Sequence, residues 1–104
     1  MRLIDVETLR LKTFYGDKIP PYAILSHTWG ADDEEITFGD IQNNNINKPG
    51  DGAVKLRGCC HQAKKDHLEY VWIDTCCINK ESDKELSEAI NSMFQWYKKA
   101  SICY

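Results

Sequence analysis

Two short apolar runs, each followed by polar residues, dominate the pattern of this chain. The four residues 22–25 are apolar and lead directly into Ser26 and His27, and the four residues 70–73 repeat the pattern and lead into Asp74. Short, unbroken apolar runs bounded by turn residues are typical of strands buried on both faces. We therefore predict two core strands, over residues 22–26 and 70–74, with polar side chains at their carboxyl ends.

Helical spacing of apolar residues predicts a first helix over residues 53–67, between the two strands. Its apolar stripe, at spacings of three and four, consists of Leu56, Cys59, Cys60, Ala63 and His67. A strand, a helix and a strand in this order fit a right-handed βαβ unit with parallel strands. The polar residues that end the two strands would then lie on one edge of the sheet.

The S-x-x-E sequence of Ser82 and Glu85 predicts the start of a second helix. In this capping box the serine caps the helix and the glutamate reaches back to the cap residue. The helix is predicted from Asp83 to about Lys99. Its apolar stripe is formed by Leu86, Ala89, Ile90, Met93, Tyr97 and Ala100, and is widened by Phe94 and Trp96. Residues 101–104 are predicted to begin a third strand.

The first residues alternate loosely between apolar and polar side chains. Over residues 3–14 this pattern predicts a peripheral N-terminal β-hairpin. We divide the chain into a hairpin and lead-in, residues 1–21, and a βαβα core of the same partial domain, residues 22–104. Because the third strand is only beginning at Tyr104, we expect a portion of a larger α/β domain that is marginally stable alone.

Composition and charge exclude several classes of function for this chain. The chain has 104 residues, a net charge of -3 and scattered lysines, which argues against nucleic-acid binding. No apolar run approaches the ~20 residues of a membrane span. The N-terminus carries acids where a signal peptide needs an apolar core. We therefore expect a cytoplasmic protein without a membrane partner, whose five cysteines are reduced thiols.

The cysteines and histidines suggest two chemistries besides packing. A zinc site would draw on Cys59, Cys60, His61, His67, Cys76 and Cys77, but their spacing fits no C-x₂-C pattern, so we predict no metal. A thiol hydrolase would pair Cys76 or Cys77 with His27 as base and Asp74 as orienting acid. Packing as small hydrophobic residues is the favoured interpretation of the cysteines.

Each polar residue at the two strand ends has either a ligand-binding role or a structural role. Ser26 and His27 either contact a ligand or hydrogen-bond to end the strand. Trp29 either stacks on a ligand ring or covers the core. Asp74 either orients His27 or a ligand hydroxyl, or caps the following turn.

Two long segments resemble the fungal heterokaryon incompatibility (HET) domain. Residues 22–30, YAILSHTWG, resemble its opening motif, and residues 69–80, EYVWIDTCCINK, resemble a second motif that is followed here by ELSEAINSM. The resemblance implies a domain of fungal nonself recognition, innate immunity and programmed cell death. It also implies a distant relation to Toll/interleukin-1 receptor (TIR) domains, with a flavodoxin-like parallel sheet truncated here at the third core strand.

Some TIR domains hydrolyse NAD, so the resemblance implies NAD as the substrate of a complete domain, with no resident cofactor. Ser26, His27 and Asp74 would contact the nucleotide, Trp29 would stack on it, and residues 76–82 would form a loop over the site. The family segment that resembles the part of TIR domains with the catalytic glutamate has no match here, so we expect this chain to be inactive. The alternative is a non-catalytic module that signals by homotypic assembly or through a partner protein.

Two positions depart from the HET pattern. Asn79 stands where the family usually has Asp, which removes any acid role at that position. His67 stands where the family often has Gly just before the second strand. We expect a strained helix exit at His67, because this position of a helix end favours the left-handed conformation.

Overall fold

The computed structural model describes residues 1–16, 18–25, 36–44, 46 and 51–104, with the Asp51 side chain left out. In these residues it has a mixed five-stranded sheet with helices. The strands are β1 (Arg2–Asp5), β2 (Leu11–Thr13), β3 (Ala23–Ile24), β4 (Tyr70–Trp72) and β5 (Ile102–Cys103). The helices are α1 (Phe38–Gln42), α2 (Asp51–Lys65), α3 (Asp74–Cys77) and α4 (Asp83–Lys99). The strand order is β2-β1-β4-β3-β5.

The predicted parallel βαβ unit is confirmed. Strands β3 and β4 pair in parallel, with Ala23 opposite Val71 and Ile24 opposite Trp72, and α2 connects them. All four of these side chains are buried, as expected for strands covered on both faces. The paired segment is shorter than predicted, because β4 ends at Trp72 and Ile73 already caps α3.

The predicted third strand is also present. β5 pairs in parallel with β3, on the side opposite β4. The connections β3-α2-β4 and β4-α4-β5 therefore run in opposite directions across the sheet. Since such crossovers are right-handed, α2 and α4 cover opposite faces. On the α4 face, the ring of Trp72 lies 5.5 Å from that of Trp96.

The N-terminal hairpin forms, but it is not peripheral. β1 pairs with β2 in antiparallel fashion and also with β4, where Ile4 lies opposite Val71. Leu3 and Ile4 are both fully buried, so β1 contributes to the core from inside the sheet. The loose alternation of residues 3–14 did not reveal this, because a strand buried on both faces does not alternate.

Four of the five residues of the predicted α2 stripe pack into the core, and the fifth, His67, is exposed, so that part of the prediction was wrong. Leu56, Cys59, Cys60 and Ala63 are buried, each at most 5 % exposed. The helix begins two residues earlier than predicted and ends at Lys65. His67 is left outside it with a φ of 63°, and the N–H of Leu68 donates to the carbonyl of Ala63. This is a Schellman motif, so the strained exit at His67 is confirmed.

α4 has the predicted bounds but a different buried face. Ala89 is buried, and Leu86, Met93, Trp96 and Ala100 are half-buried against the core. Ile90 and Phe94, predicted as part of the packed stripe, are 63 % and 73 % exposed. The sequence prediction therefore made the packed face of α4 too wide, since positions 90 and 94 lie on the side turned away from the sheet. None of the helices within the described ranges has the length and apolar character needed to cross a membrane.

Candidate functional site

The carboxyl ends of β3 and β4 lie side by side, because the two strands are parallel and in register. The N–H of Leu25 still donates to the carbonyl of Trp72 at 3.0 Å, beyond the last residues of the ladder. β1 runs antiparallel to β4, so Arg2, where β1 begins, lies where β4 ends. We call this end of the sheet the carboxyl edge; its described residues include Arg2, Leu25 and Asp74.

Of the predicted site residues, Asp74 is the one whose position the structure describes. It lies at the carboxyl edge as the first residue of α3, and its Oδ1 atom is buried. Ser26, His27 and Trp29 lie outside the described residues. Both the predicted strand end at Asp74 and the predicted loop over residues 76–82 were wrong in part, because α3 occupies Asp74–Cys77.

Short helix α3 buries three consecutive side chains, Thr75, Cys76 and Cys77. The Cys76 thiol donates to the carbonyl of Ile36 at 3.1 Å, and the Cys77 sulfur accepts from the N–H of Ile73 at 3.4 Å. Burial raises the pKa of the Cys77 thiol well above its usual range. Because a nucleophilic cysteine needs an accessible thiolate, Cys77 is a packing residue and not a hydrolase nucleophile.

An ion pair at the carboxyl edge was missed by sequence reasoning. Arg2 Nη1 pairs with Glu85 Oε1, and the Arg2 guanidinium lies over the ring of Phe38, 4.6 Å from its centroid. The same carboxylate oxygen of Glu85 accepts from the N–H of Asn79 at 3.1 Å. The pair thus joins β1, α1 and α4. Only the pairing of β1 with β4, which the sequence pattern did not predict, brings these residues together.

The start of α4 keeps half of the predicted capping box. Ser82 Oγ accepts from the N–H of Glu85 at 3.3 Å, as expected. The Glu85 side chain bonds the N–H of Asn79 and not that of Ser82, so the reciprocal half of the box was wrong. Asn79 Oδ1 in turn accepts from the N–H of Glu81 at 3.2 Å. An aspartate at this position would make the same turn bond.

A cleft of about 480 Å³ opens between α4 and the first two strands. Its lining includes Arg2, Trp72, Cys77, Glu85, Glu88 and Trp96. This volume falls in the range of about 300–1,000 Å³ typical of small-molecule sites. The cleft combines aromatic surface with charges of both signs, so it could hold a ligand that has a ring and ionic groups. Within the described part of the chain, no three His, Cys, Asp or Glu residues come together as metal ligands.

Comparison with known proteins identifies relatives. The model of the family described as Heterokaryon incompatibility protein (HET) matches residues 22–104. The Vegetative incompatibility protein HET-E-1 of Podospora anserina is 52% identical over 94 residues, which are 89% of this chain and 7% of that protein. The chain therefore spans a small fraction of the length of this curated relative.

No solved structure matches the chain. The family match covers most of the sequence, including both motifs that resembled the HET domain and both strands of the βαβ unit. On these grounds the chain belongs to the heterokaryon incompatibility (HET) family.

Proposed function

We propose that this chain is a signalling domain of fungal heterokaryon incompatibility, acting in nonself recognition and programmed cell death. The proposal is supported by the HET family match and by similarity to a protein named for vegetative incompatibility. Because the chain spans 7% of that relative, the role belongs to the longer protein of which such a domain is a part.

Within this role, the fold is TIR-like. The three parallel strands stand in the order β4-β3-β5, so the second core strand is next to the first and the third is on the other side. A flavodoxin-like sheet begins with the same 2-1-3 order. In such sheets, ligands bind outside the carboxyl ends of the strands, where successive helices leave for opposite faces.

The complete domain binds and cleaves NAD at the carboxyl edge. The observation that carries this proposal is the adjacency of the β3 and β4 ends, with Asp74 on that edge. Ser26, His27 and Asp74 contact the nucleotide, and Trp29 stacks on it. Hydrolysis breaks the bond between nicotinamide N1 and ribose C1′. The oxygen of water bonds to C1′, and the products are nicotinamide, ADP-ribose and a proton.

Titration calorimetry of the 104-residue chain with NAD tests the binding step. We expect binding in the millimolar range without release of nicotinamide, because these residues contain no match to the family's acid-bearing segment. Asp74→Asn and His27→Ala should weaken binding several-fold. The control is Glu69→Gln, which alters an exposed acid just before β4, at the other end of the strand.

The same two variants test catalysis in a longer homologue, where nicotinamide release is followed by chromatography. The proposal predicts release by the unaltered protein and its loss in both variants. A folded chain that takes up no NAD at several millimolar, or an assembled homologue that releases no nicotinamide, would refute the NAD proposal.

A second candidate function is favoured by the exposed apolar side chains of α4. It is a non-catalytic module that signals by homotypic assembly. Cell death that survives Asp74→Asn and His27→Ala in the full-length protein would favour this candidate over NAD cleavage.

A further inference from the structure

A second cleft lies at the amino edge of the sheet, the end opposite the carboxyl edge. It has a volume of about 620 Å³ and opens where the chain enters β3 and β5, between residues 19–22 and the second half of α4. Tyr22 and Trp96 contribute aromatic surface to it, and Ile19 and Pro21 contribute aliphatic surface. The volume is within the range of about 300–1,000 Å³ typical of ligand sites. We call it the amino-edge cleft.

One wall of the amino-edge cleft is a polar stripe of α4. Asn91, Gln95 and Lys99 all line the cleft, and their spacing of four places them on one side of the helix. The three side chains are exposed, and they form no hydrogen bond or ion pair with any residue that the structure describes. Two carboxamides and one ammonium group are therefore available to a ligand.

The charge in this cleft has one sign. Lys99 is the one charged side chain among the described residues that line it, and it lies in the last turn of α4, at one end of the polar stripe. The hydroxyls of Ser92 and Ser101 also line the cleft. An ammonium group donates hydrogen bonds and accepts none, so it favours a carboxylate as its partner.

The spacing of the three stripe residues matches an extended peptide. Four residues of an α-helix rise about 6 Å, and two residues of an extended chain rise about 6.5–7 Å. Over the whole stripe the two lengths differ by about 1–2 Å, which flexible side chains can take up. Each carboxamide has a donor and an acceptor, so it can bond both the N–H and the C=O of a peptide chain. Asn91 and Gln95 would bond main-chain groups two residues apart, and the next group in this register would lie at Lys99.

We propose that the amino-edge cleft binds the extended C-terminal segment of a partner protein. Asn91 and Gln95 bond its main chain, and Lys99 pairs with its terminal carboxylate. The terminal carboxylate takes the place of the next peptide group in the same register, which a side-chain carboxylate does not. For a short peptide we expect a dissociation constant on the order of 1 mM, because few groups offset the entropy of ordering it. The proposal depends neither on NAD cleavage nor on homotypic assembly.

An NMR titration of the ¹⁵N-labelled chain with the peptide Thr-Val-Thr-Val-Thr tests the proposal. Its β-branched residues favour the extended conformation. Up to about 10 mM peptide, roughly ten times the expected dissociation constant, the side-chain N–H signals of Asn91, Gln95 and Trp96 should shift together and saturate. The same peptide with an amidated C-terminus should bind several-fold more weakly, because it lacks the negative charge.

Lysine variants test the role of the carboxylate. Lys99→Met should weaken binding of the acid peptide several-fold and remove the difference between the acid and amide forms. The matched control is Lys98→Met, which replaces the exposed neighbouring lysine outside the cleft lining and should bind like the parent. Asn91→Ala and Gln95→Ala should weaken both forms of the peptide equally, because these side chains bond the main chain. Circular dichroism of each variant shows whether α4 is intact.

Several results would overturn the proposal. These are no shifts up to about 10 mM peptide, shifts confined to another part of the chain, and equal binding of the acid and amide forms. Acetate at the same concentrations is the anion control. Equal shifts of Asn91 and Gln95 with acetate would show an adventitious anion only and would also overturn the proposal. NAD is absent from these titrations, so their outcome is separate from that of the NAD proposal.

Discussion

Arg2 and Glu85 form an ion pair that joins the first strand to the first turn of α4. Their side chains are 30% and 26% exposed, so the pair is partly withdrawn from water. The guanidinium is also held over the Phe38 ring, and the carboxylate also accepts from Asn79. Most surface ion pairs are weak because two flexible side chains lose entropy when they pair. Here the additional contacts already orient both side chains, so less entropy is lost.

A double-mutant cycle with Arg2→Met and Glu85→Gln should therefore give a coupling of about 1 kcal/mol in the free energy of unfolding. The measurement is urea denaturation of the four proteins at low salt. The control cycle uses Lys12 and Asp5, which lie 3.3 Å apart with Lys12 52% exposed, and should give less than half that coupling. Equal coupling in the two cycles would show that the Arg2 pair has no special role.

The parts of this fold that follow from local pattern were predictable. The βαβ unit comes from two apolar runs and one helical stripe, and the exact start of α4 comes from Ser82. The insertion of β1 between β2 and β4 was not predictable, because pairing between distant segments leaves no periodic signal. For the same reason the sequence placed Asp74 on the carboxyl edge but did not bring Arg2 and Glu85 to that edge.

The hydroxyl of Tyr22 donates to the backbone carbonyl of Trp96 at 2.6 Å, linking the entry of β3 to α4. Tyr22 is 3% exposed, and the same carbonyl also accepts from the N–H of Ala100. Tyr22→Phe should lower the free energy of unfolding by about 1 kcal/mol, which is the usual net contribution of such a hydrogen bond. Thermal melting of this variant is compared with that of Tyr15→Phe, whose ring is 77% exposed. A Tyr22→Phe chain that melts with the parent would show that this bond contributes nothing.

Buried thiols make the fold sensitive to alkali. Burial raises the pKa of Cys59 and of Cys60 from 9.0 to about 12. Between these values the unfolded chain releases both protons while the folded chain retains them. The unfolded state then binds fewer protons, so stability is complete below about pH 9 and falls as pH rises towards 12.

In that pH window, each of the two thiols should lower the free energy of unfolding by up to about 1.4 kcal/mol per pH unit. Urea denaturation in the presence of a reductant at pH 8, 9, 10 and 11 measures the slope. Cys59→Ala should flatten it even though the variant is less stable at pH 8, because of the cavity. Cys103→Ala, at an exposed cysteine, should keep the slope of the parent. A parent chain with constant stability from pH 8 to 11 would contradict the assignment.

His67 holds a backbone conformation that glycine adopts without strain. Its φ of 63° is required by the Schellman motif that ends α2, in which its own N–H donates to Lys64 and that of Leu68 to Ala63. A residue with a Cβ atom in this region costs about 1–2 kcal/mol, and glycine gives back part of the gain through the greater freedom of the unfolded chain. His67→Gly should therefore stabilise the chain by about 0.5–1 kcal/mol.

His61→Gly, at an exposed position inside the same helix, should destabilise it by a similar amount, because there glycine only adds unfolded-state entropy. Thermal and urea melts of both variants measure the change in stability. If the His67 backbone is strained, the two substitutions change stability in opposite directions. A loss of stability in both variants would mean that contacts of the His67 imidazole outweigh the strain.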